Sequence, residues 1–554
     1  MPTDQLLRSA EFREAGYWGD DTLPAVIDHW ADADPARPYL SDGTSTLTYG
    51  QFRARAWTLA ANLAGHGVRP GDRVAVQLPN WNEYFLLYAA CARLGAIMIP
   101  VITVYRKDEV GFIVENSGAA ALVTCGQFRG FDHAAMAAGV VAASSHRVVH
   151  IVVRGLPPKG ALALDDLFPD DQARHALPEP PTADDPHLIL YSSGTESRPK
   201  GCLHTWNTSS FLPKQAIPAM GMTRDDTMFM PSPVTHALGL TLGVMAPTLA
   251  GASVHLLDIF DPKTALERVA EHHCTGTASP APFIRMMLDA YDPRAHDVSR
   301  LRFWLTAGAP IPAALVEEAA SRFSGCRVVS AYGSSEVMMA TVCRPEDPIE
   351  RVAATDGRPV PGVELRIVAG DKPVPAGVEG EIRYRGPGRL LEYWGRPDLT
   401  ADSIDDQRWW RTGDVGRLDE SGYLRVTGRI KDIIIRGGFN VSAREVEEAL
   451  LAMPGIANVA VIGLPDPVVG ERVCAVIEPA AGHEPPTLQD LRGHLTDHRG
   501  MAVWKIPERI EIVTQWPLTA TGKVKKYVLR KTIGTLPAHR RAPRSRKRRS
   551  QAIS

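Results

Sequence analysis

The sequence predicts an α/β protein, with a large N-terminal α/β domain rich in parallel sheet and a small α+β domain after it. Three observations carry this. Strand-like runs such as Arg73-Val74-Ala75-Val76-Gln77-Leu78 alternate with helical stretches such as residues 81–94, the pattern of helices laid over a parallel sheet. Near residue 428 the pattern changes to short alternating strands around one capped helix. At 554 residues the chain also exceeds what a single hydrophobic core holds.

Composition narrows the class. Hydrophobic residues make up 44% and charged residues 22%, ordinary values for a globular enzyme. Residues 536–554 carry seven Lys/Arg and no Asp/Glu, so taking those charges from a net −2 leaves the rest of the chain at −9. A mildly acidic body is a poor nucleic-acid binder, and no nucleic-acid partner is expected. The basic run Arg544-Ser545-Arg546-Lys547-Arg548-Arg549 reads as a solvated, disordered tail. Seven cysteines without a close pair read as reduced thiols, neither a disulfide frame nor a zinc site. Glu271-His272-His273-Cys274 has no second cluster to complete a metal site and reads as part of the fold.

The N-terminus is polar and has no apolar signal core, so a cytoplasmic location is expected. Residues 85–105 are apolar enough to suggest a membrane span. Arg93 sits inside them, however, and Gly95 and Pro100 divide them into a helix and a buried strand. Stable membrane insertion is not expected, and self-association is left open. Residues 169–186, rich in Pro and acid, read as an exposed connection. Further on, residues 423–427 read as a strand, Gly428-Arg429 as a turn and Ile433-Ile434-Ile435 as another strand. Ser442 and Glu445 form a capping box opening a helix to about Leu451. Strands at residues 459–462, 473–477 and 509–513 complete the small unit.

Four segments carry chemistry. The first, Tyr191-Ser192-Ser193-Gly194-Thr195-Glu196-Ser197-Arg198-Pro199-Lys200-Gly201, follows the apolar run Leu188-Ile189-Leu190. Small residues let backbone approach an anion, hydroxyls and N–H groups donate to phosphate oxygens, and Lys200 adds a mobile charge. Pro before the lysine and Gly after it exclude the familiar P-loop. The second is Ser330-Ala331-Tyr332-Gly333-Ser334-Ser335-Glu336, where a ring suited to stacking on a purine meets a carboxylate suited to magnesium. The third, Trp409-Trp410-Arg411-Thr412-Gly413-Asp414, offers a carboxylate that can accept from both ribose hydroxyls. The fourth, Pro517-Leu518-Thr519-Ala520-Thr521-Gly522-Lys523, presents one lysine on a loop. Alone, each reads as a polar turn; together and in order they read as a nucleotide site.

On these motifs, with Gly428-Arg429-Ile430-Lys431-Asp432, the chain resembles the adenylate-forming superfamily of acyl-CoA synthetases, peptide-synthetase adenylation domains and luciferases. The likeness runs from about residue 23 to 530. Gly194-Thr195-Glu196-Ser197 and Leu256-Leu257-Asp258-Ile259-Phe260-Asp261-Pro262 look most like ligases for short- to medium-chain and alicyclic acids. The resemblance implies a multi-subdomain N-terminal domain (1–428), a hinge (429–432) centred on Lys431, a C-terminal domain (433–535) that rotates about it, and the tail 536–554. It implies ATP, Mg²⁺ and coenzyme A, with Lys523, Glu336 and His236 as catalytic candidates and Glu336 also holding the metal. The nucleotide would be held by Ser192, Ser193, Gly194, Thr195, Glu196, Ser197, Lys200, Gly308, Ala309, Pro310, Ala331, Tyr332, Gly333, Ser334, Ser335, Asp414, Val426 and Arg429. Coenzyme A would meet Arg436, Gly437, Gly438 and Phe439, while His236, Ala307 and Gly308 would line the acyl pocket.

The implied reaction is attack of a carboxylate on the α-phosphate of ATP, then thioester formation with coenzyme A. Residues 228–257 contain no Asp or Glu to meet a substrate ammonium group, which favours a plain organic acid over an amino acid. Three positions depart from the family pattern: Ser197 replaces a glycine, Ser335 a threonine, and Ala307 with Gly308 stands where a Gly-Gly pair is usual. Two rivals stay open: loading of a carrier protein in trans, since no carrier domain follows Arg530, and a variant that only transfers a pre-formed acyl-adenylate.

Overall fold

The computed structural model describes residues 3–168, 177–192, 199–307, 311, 313–323, 325–437, 439–519 and 523–534. These fall into two compact units, Met1–Thr427 and Gly428–Ser554. Most of the expected phosphate loop (193–198), Gly308, Ala309 and Pro310, Gly438, residues 520–522 and the basic tail lie outside the described residues.

The first unit contains two large sheets, both mostly parallel. In the eight-stranded sheet the strand Arg73–Gln77 runs parallel to both Ile97–Pro100 and Ala121–Cys125, with Val74 opposite Met98 and Ala121. In the nine-stranded sheet Thr227–Met230 lies between Ser253–Leu256 and Gly276–Ala278, followed by Phe303–Ala307 and Arg327–Tyr332, all parallel. A five-stranded antiparallel sheet contains Glu364–Ala369, Gly380–Arg385, Trp410–Leu418 and Leu424–Arg429.

The apolar stretch that resembles a membrane span is core. Helix Asn82–Leu94 is buried almost all round, and Gly95, at φ +78°, ends it in the left-handed conformation that glycine adopts without cost. The buried strand Ile97–Pro100 follows. Arg93 emerges to donate to the Pro178 carbonyl at 3.0 Å, which reconciles a charge with an apolar helix. Among the described residues no helix is long and apolar enough to cross a membrane.

The second unit is a sheet with a helix on each face. Val459, Val461, Val473, Ala475 and Ile477 pack with Val446 and Leu450 of helix Ala443–Leu451. Their alternate neighbours Ala460, Ile462, Leu464, Cys474 and Val476 pack with Leu529 and Ile533 of helix Lys526–Gly534, as the two-residue period of a strand requires. Ser442 Oγ accepts from the Glu445 N–H at 3.3 Å, while the Glu445 carboxylate engages Lys505 Nζ at 2.6 Å and 2.7 Å.

One local expectation is corrected. Gly428 and Arg429 are not a turn: the strand Leu424–Arg429 runs through them, and the chain bends in the 3₁₀ turn Ile430–Asp432 before Ile433–Arg436. This turn needs no glycine at 428, because a 3₁₀ turn uses ordinary helical dihedrals. All seven cysteines are free and buried. His272 stacks on His255 at 3.7 Å beside the buried Cys274, and among the described residues no cluster of three or more His, Cys, Asp or Glu is placed to hold a metal.

Candidate active site

The flanks of the phosphate loop are brought together by antiparallel pairing of Pro186–Ser192 with Lys200–Thr205, which sets Ser192 opposite Lys200. Ser192 Oγ donates to the Lys200 carbonyl at 3.4 Å. Gly201 is required by packing, since a Cβ there would lie 2.8 Å from Ile189 Cγ2. The Lys200 ammonium sits 5.3 Å from the centroid of the Tyr393 ring.

The second motif leaves the end of the strand Arg327–Tyr332. Ala331 and Tyr332 are buried there. Gly333 follows where a Cβ would fall 1.8 Å from the Met338 carbonyl oxygen, so no larger residue fits this turn. Ser334 Oγ accepts from the Glu336 N–H at 3.2 Å. The Ser335 carbonyl accepts from His204 Nε2 at 2.8 Å, and burial pushes the His204 imidazole down to about 4, so it is neutral with its proton on Nε2. Glu336 is held twice: its carbonyl accepts from the Leu390 N–H at 2.7 Å, and Oε1 accepts from Tyr393 Oη at 3.0 Å. Burial, and secondly the Glu336 charge, push the Tyr393 phenol far up, so it remains a donor.

The third motif lies on the strand Trp410–Leu418. Thr412 Oγ1 donates to the Ile382 carbonyl at 2.6 Å and accepts from the Asp414 N–H at 3.1 Å, fixing the backbone around Gly413 at φ +71°. Asp414, only 5% exposed, accepts from Tyr332 Oη at 2.7 Å. The second and third motifs therefore meet through side chains. The Val426 N–H donates to Asp356 Oδ2 at 2.8 Å, and Arg429 is exposed at the end of the same strand.

His236 lies on the loop between Thr227–Met230 and the π-helical turn Gly239–Met245. It is half-buried, its N–H donates to the Pro233 carbonyl at 3.1 Å, and its own carbonyl accepts from the Leu240 N–H at 2.8 Å. Asn80 staples this loop: its amide donates to the carbonyls of Met230, Ser232 and Leu257 at 2.9–3.2 Å and accepts from the Val234 N–H at 2.9 Å. Ala307 ends the strand Phe303–Ala307, half-buried.

In the second unit Lys523 is exposed, and two bonds tie it to Thr519. Its N–H donates to Thr519 Oγ1 at 3.0 Å, and the Thr519 N–H donates to the Lys523 carbonyl at 2.6 Å. Lys431 lies in the 3₁₀ turn, whose Asp432 accepts from Arg530 at 3.1 Å. Arg436 forms a two-pronged ion pair with Glu508 at 2.8 Å and 2.9 Å, so any phosphate it meets competes with that carboxylate. Gly437 adopts φ +55°, and the exposed Phe439 ring stacks on Trp504 at 5.0 Å.

Sequence reasoning missed Tyr393, His204, Asn80 and Asp356. None lies in the four segments that the sequence marks as carrying chemistry. Each acts on a residue far away in sequence, which no local pattern reveals.

A family model described as AMP-binding enzyme matches residues 27–394, and one described as AMP-binding enzyme C-terminal domain matches residues 445–523. Among curated relatives, the medium-chain fatty-acid–CoA ligase of Escherichia coli K12 is 33% identical over 536 residues, covering 95% of this chain and 93% of that protein. A 3-[(3aS,4S,7aS)-7a-methyl-1,5-dioxo-octahydro-1H-inden-4-yl]propanoyl:CoA ligase of Rhodococcus jostii RHA1 is 34% identical over 522 residues, covering 92% and 98%. Among solved structures, ATP-bound MatB from Rhodopseudomonas palustris superposes with a TM-score of 0.82 at 29% identity, covering 93% of this chain and 99% of that one. An anthranilate CoA ligase, AuaEII, in complex with anthranoyl-AMP, gives 0.83 at 25% identity, covering 93% and 97%.

Proposed function

The chain belongs to the AMP-binding enzyme family and is an ATP-dependent acyl-CoA synthetase, and we propose that its acid is a medium-chain or alicyclic carboxylic acid without an amino group. The carboxylate attacks the α-phosphorus of ATP, pyrophosphate leaves, and an acyl-adenylate forms. The thiol of coenzyme A then attacks the acyl carbon and AMP leaves.

The observation that carries the site assignment is the 2.7 Å bond from Tyr332 Oη to Asp414 Oδ2, which joins two motifs 82 positions apart. It fixes a carboxylate beside an aromatic ring, the pair a nucleoside needs: Asp414 accepts from the ribose hydroxyls and the Tyr332 ring lies against the base. Ser192 and Lys200, with the loop between them, take the phosphates. Val426 and Arg429 complete the nucleotide site.

The donor set suits Mg²⁺. That ion binds through one or two carboxylates and the substrate's phosphates rather than in an all-protein cage, and Glu336, held by Tyr393, offers one such carboxylate. Bound there, the ion would offset phosphate charge. Lys523 supplies positive charge where the reacting phosphorus gains negative charge, and it matters only in the first half-reaction. Lys431 is the hinge residue between the half-reactions, and Arg436, Gly437, Gly438 and Phe439 receive coenzyme A.

The acid class rests on the 228–257 segment. It holds no acidic residue, and Met228, Phe229, Met230, Leu240, Leu242 and Val244 are among its buried side chains. A substrate ammonium group buried there would go unpaired, at a cost of several kcal/mol. The test is ATP–pyrophosphate exchange across linear, alicyclic and aromatic acids and amino acids. Exchange with octanoate or an alicyclic propanoate, and none with amino acids, is expected; exchange with amino acids alone would overturn the reading.

A further inference from the structure

The reading above gives no part to the N-terminal segment, yet that segment is bound into the first unit at one loop, residues 386–390. Gln5 is 1% exposed, and its amide donates to the carbonyls of Gly386 at 3.0 Å and Pro387 at 3.1 Å. Trp18, 3% exposed, donates from Nε1 to the same Pro387 carbonyl at 3.2 Å. Asp4 Oδ2 accepts from Arg389 Nη2 at 2.5 Å, and the Arg389 side chain is only 4% exposed. The other Asp4 oxygen lies 3.4 Å from Arg408.

The loop continues directly into the partners of Glu336. The next residue, Leu390, donates its N–H to the Glu336 carbonyl, Leu391 donates to the Leu203 carbonyl at 2.8 Å, and Tyr393 donates to the Glu336 carboxylate. Both the backbone and the side chain of Glu336 therefore hang on residues 390–393, and those hang on a loop captured by Asp4, Gln5 and Trp18. A guanidinium as buried as Arg389 cannot lose its carboxylate without moving toward water, and the buried carbonyls of Gly386 and Pro387 need their donors.

We propose that residues 4–18 are a positioning strap for Glu336, in which Asp4, Gln5 and Trp18 fix the 386–390 loop and so set the orientation of Glu336 and Tyr393. Its functional consequence rests on the reading that Glu336 serves the nucleotide. Among the described residues no hydrogen bond or ion pair joins the strap to a residue assigned to the acid, so it bears on ATP and leaves acid recognition alone.

The test uses the full chain with Asp4→Asn, Gln5→Ala, Arg389→Met and the double variant Asp4→Asn/Arg389→Met. Two readouts are taken: amide hydrogen exchange of the peptide covering residues 388–393 without ligand, and ATP affinity by calorimetry with magnesium present. Asp4→Asn and Gln5→Ala should each speed exchange at Leu390 about tenfold and weaken ATP by a similar factor, with the KM for the acid unchanged. In the double variant no unpaired guanidinium remains, so both readouts should match Arg389→Met alone within about twofold. Unchanged exchange at Leu390 in both Asp4→Asn and Gln5→Ala overturns the strap. Faster exchange with intact ATP affinity overturns its functional role if Glu336→Gln itself weakens ATP. If Glu336→Gln is also silent, the strap stands and the assignment of Glu336 to the nucleotide fails.

Discussion

Tyr393 Oη donates to Glu336 Oε1 at 3.0 Å across 57 positions of sequence, and the same ring stands over the Lys200 ammonium. One phenol thus orients the site's acid while its face meets the site's base. Tyr393→Phe keeps the ring and removes only the hydroxyl. A hydrogen bond to a charged group contributes about 1.5–3 kcal/mol, so kcat/KM for adenylate formation should fall roughly 10- to 100-fold, with little change in Tm. Pyrophosphate exchange checks this; wild-type exchange in the variant would mean that Glu336 is oriented without Tyr393.

Asp414→Ala should weaken ATP by removing the acceptor for the ribose hydroxyls, at about 1.5–3 kcal/mol per charge-assisted bond. The sharper readout is discrimination between ATP and its 2′-deoxy analogue, which the variant should lose. Calorimetry with both nucleotides decides it, and preserved discrimination would remove Asp414 from the ribose.

Lys523→Ala should cripple adenylate formation by ~3–5 kcal/mol in the barrier while leaving thioester formation from a supplied acyl-adenylate nearly intact. Measuring the half-reactions separately tests this. Equal losses in both would show that Lys523 does not act on the reacting phosphate.

Stability should fall with acid in a window set by buried histidines. Burial lowers His133, His150 and His204 to about 4 and His187 to about 3, against 6.5 when exposed. Below pH 6.5 the unfolded chain binds protons that the folded chain refuses. Their contribution is therefore complete above pH 6.5 and is lost as pH falls toward 4, at up to about 1.4 kcal/mol per pH unit for each histidine. Urea midpoints at pH 7 and 5 report it; a flat profile would mean that these imidazoles reach solvent in the fold.

What could be read from the sequence follows from where the physics is local. The run 85–105 was legible because an apolar helix, a left-handed glycine and an apolar strand each leave a contiguous trace. The motif at 332–336 was legible as turn chemistry, whereas 412–414, also read as a polar turn, lies on the strand Trp410–Leu418, and the bond that joins Tyr332 to Asp414 left no trace. Gly428 was misread because a glycine beside a polar residue signals a turn, whereas here the strand Leu424–Arg429 runs through it. His204, Asn80 and Gln5 left no trace at all. Their bonds reach across more than 100 residues to backbone carbonyls at Ser335, Met230 and Gly386, and a carbonyl has no sequence signature.

The most direct measurement is mass-spectrometric product analysis of the purified chain with ATP, magnesium, coenzyme A and a medium-chain or alicyclic acid, run with and without coenzyme A. The expected result is acyl-CoA and AMP in equal amounts with coenzyme A, and acyl-adenylate bound to the protein without it. Acyl-adenylate that accumulates in the presence of coenzyme A, with no thioester, would contradict the account.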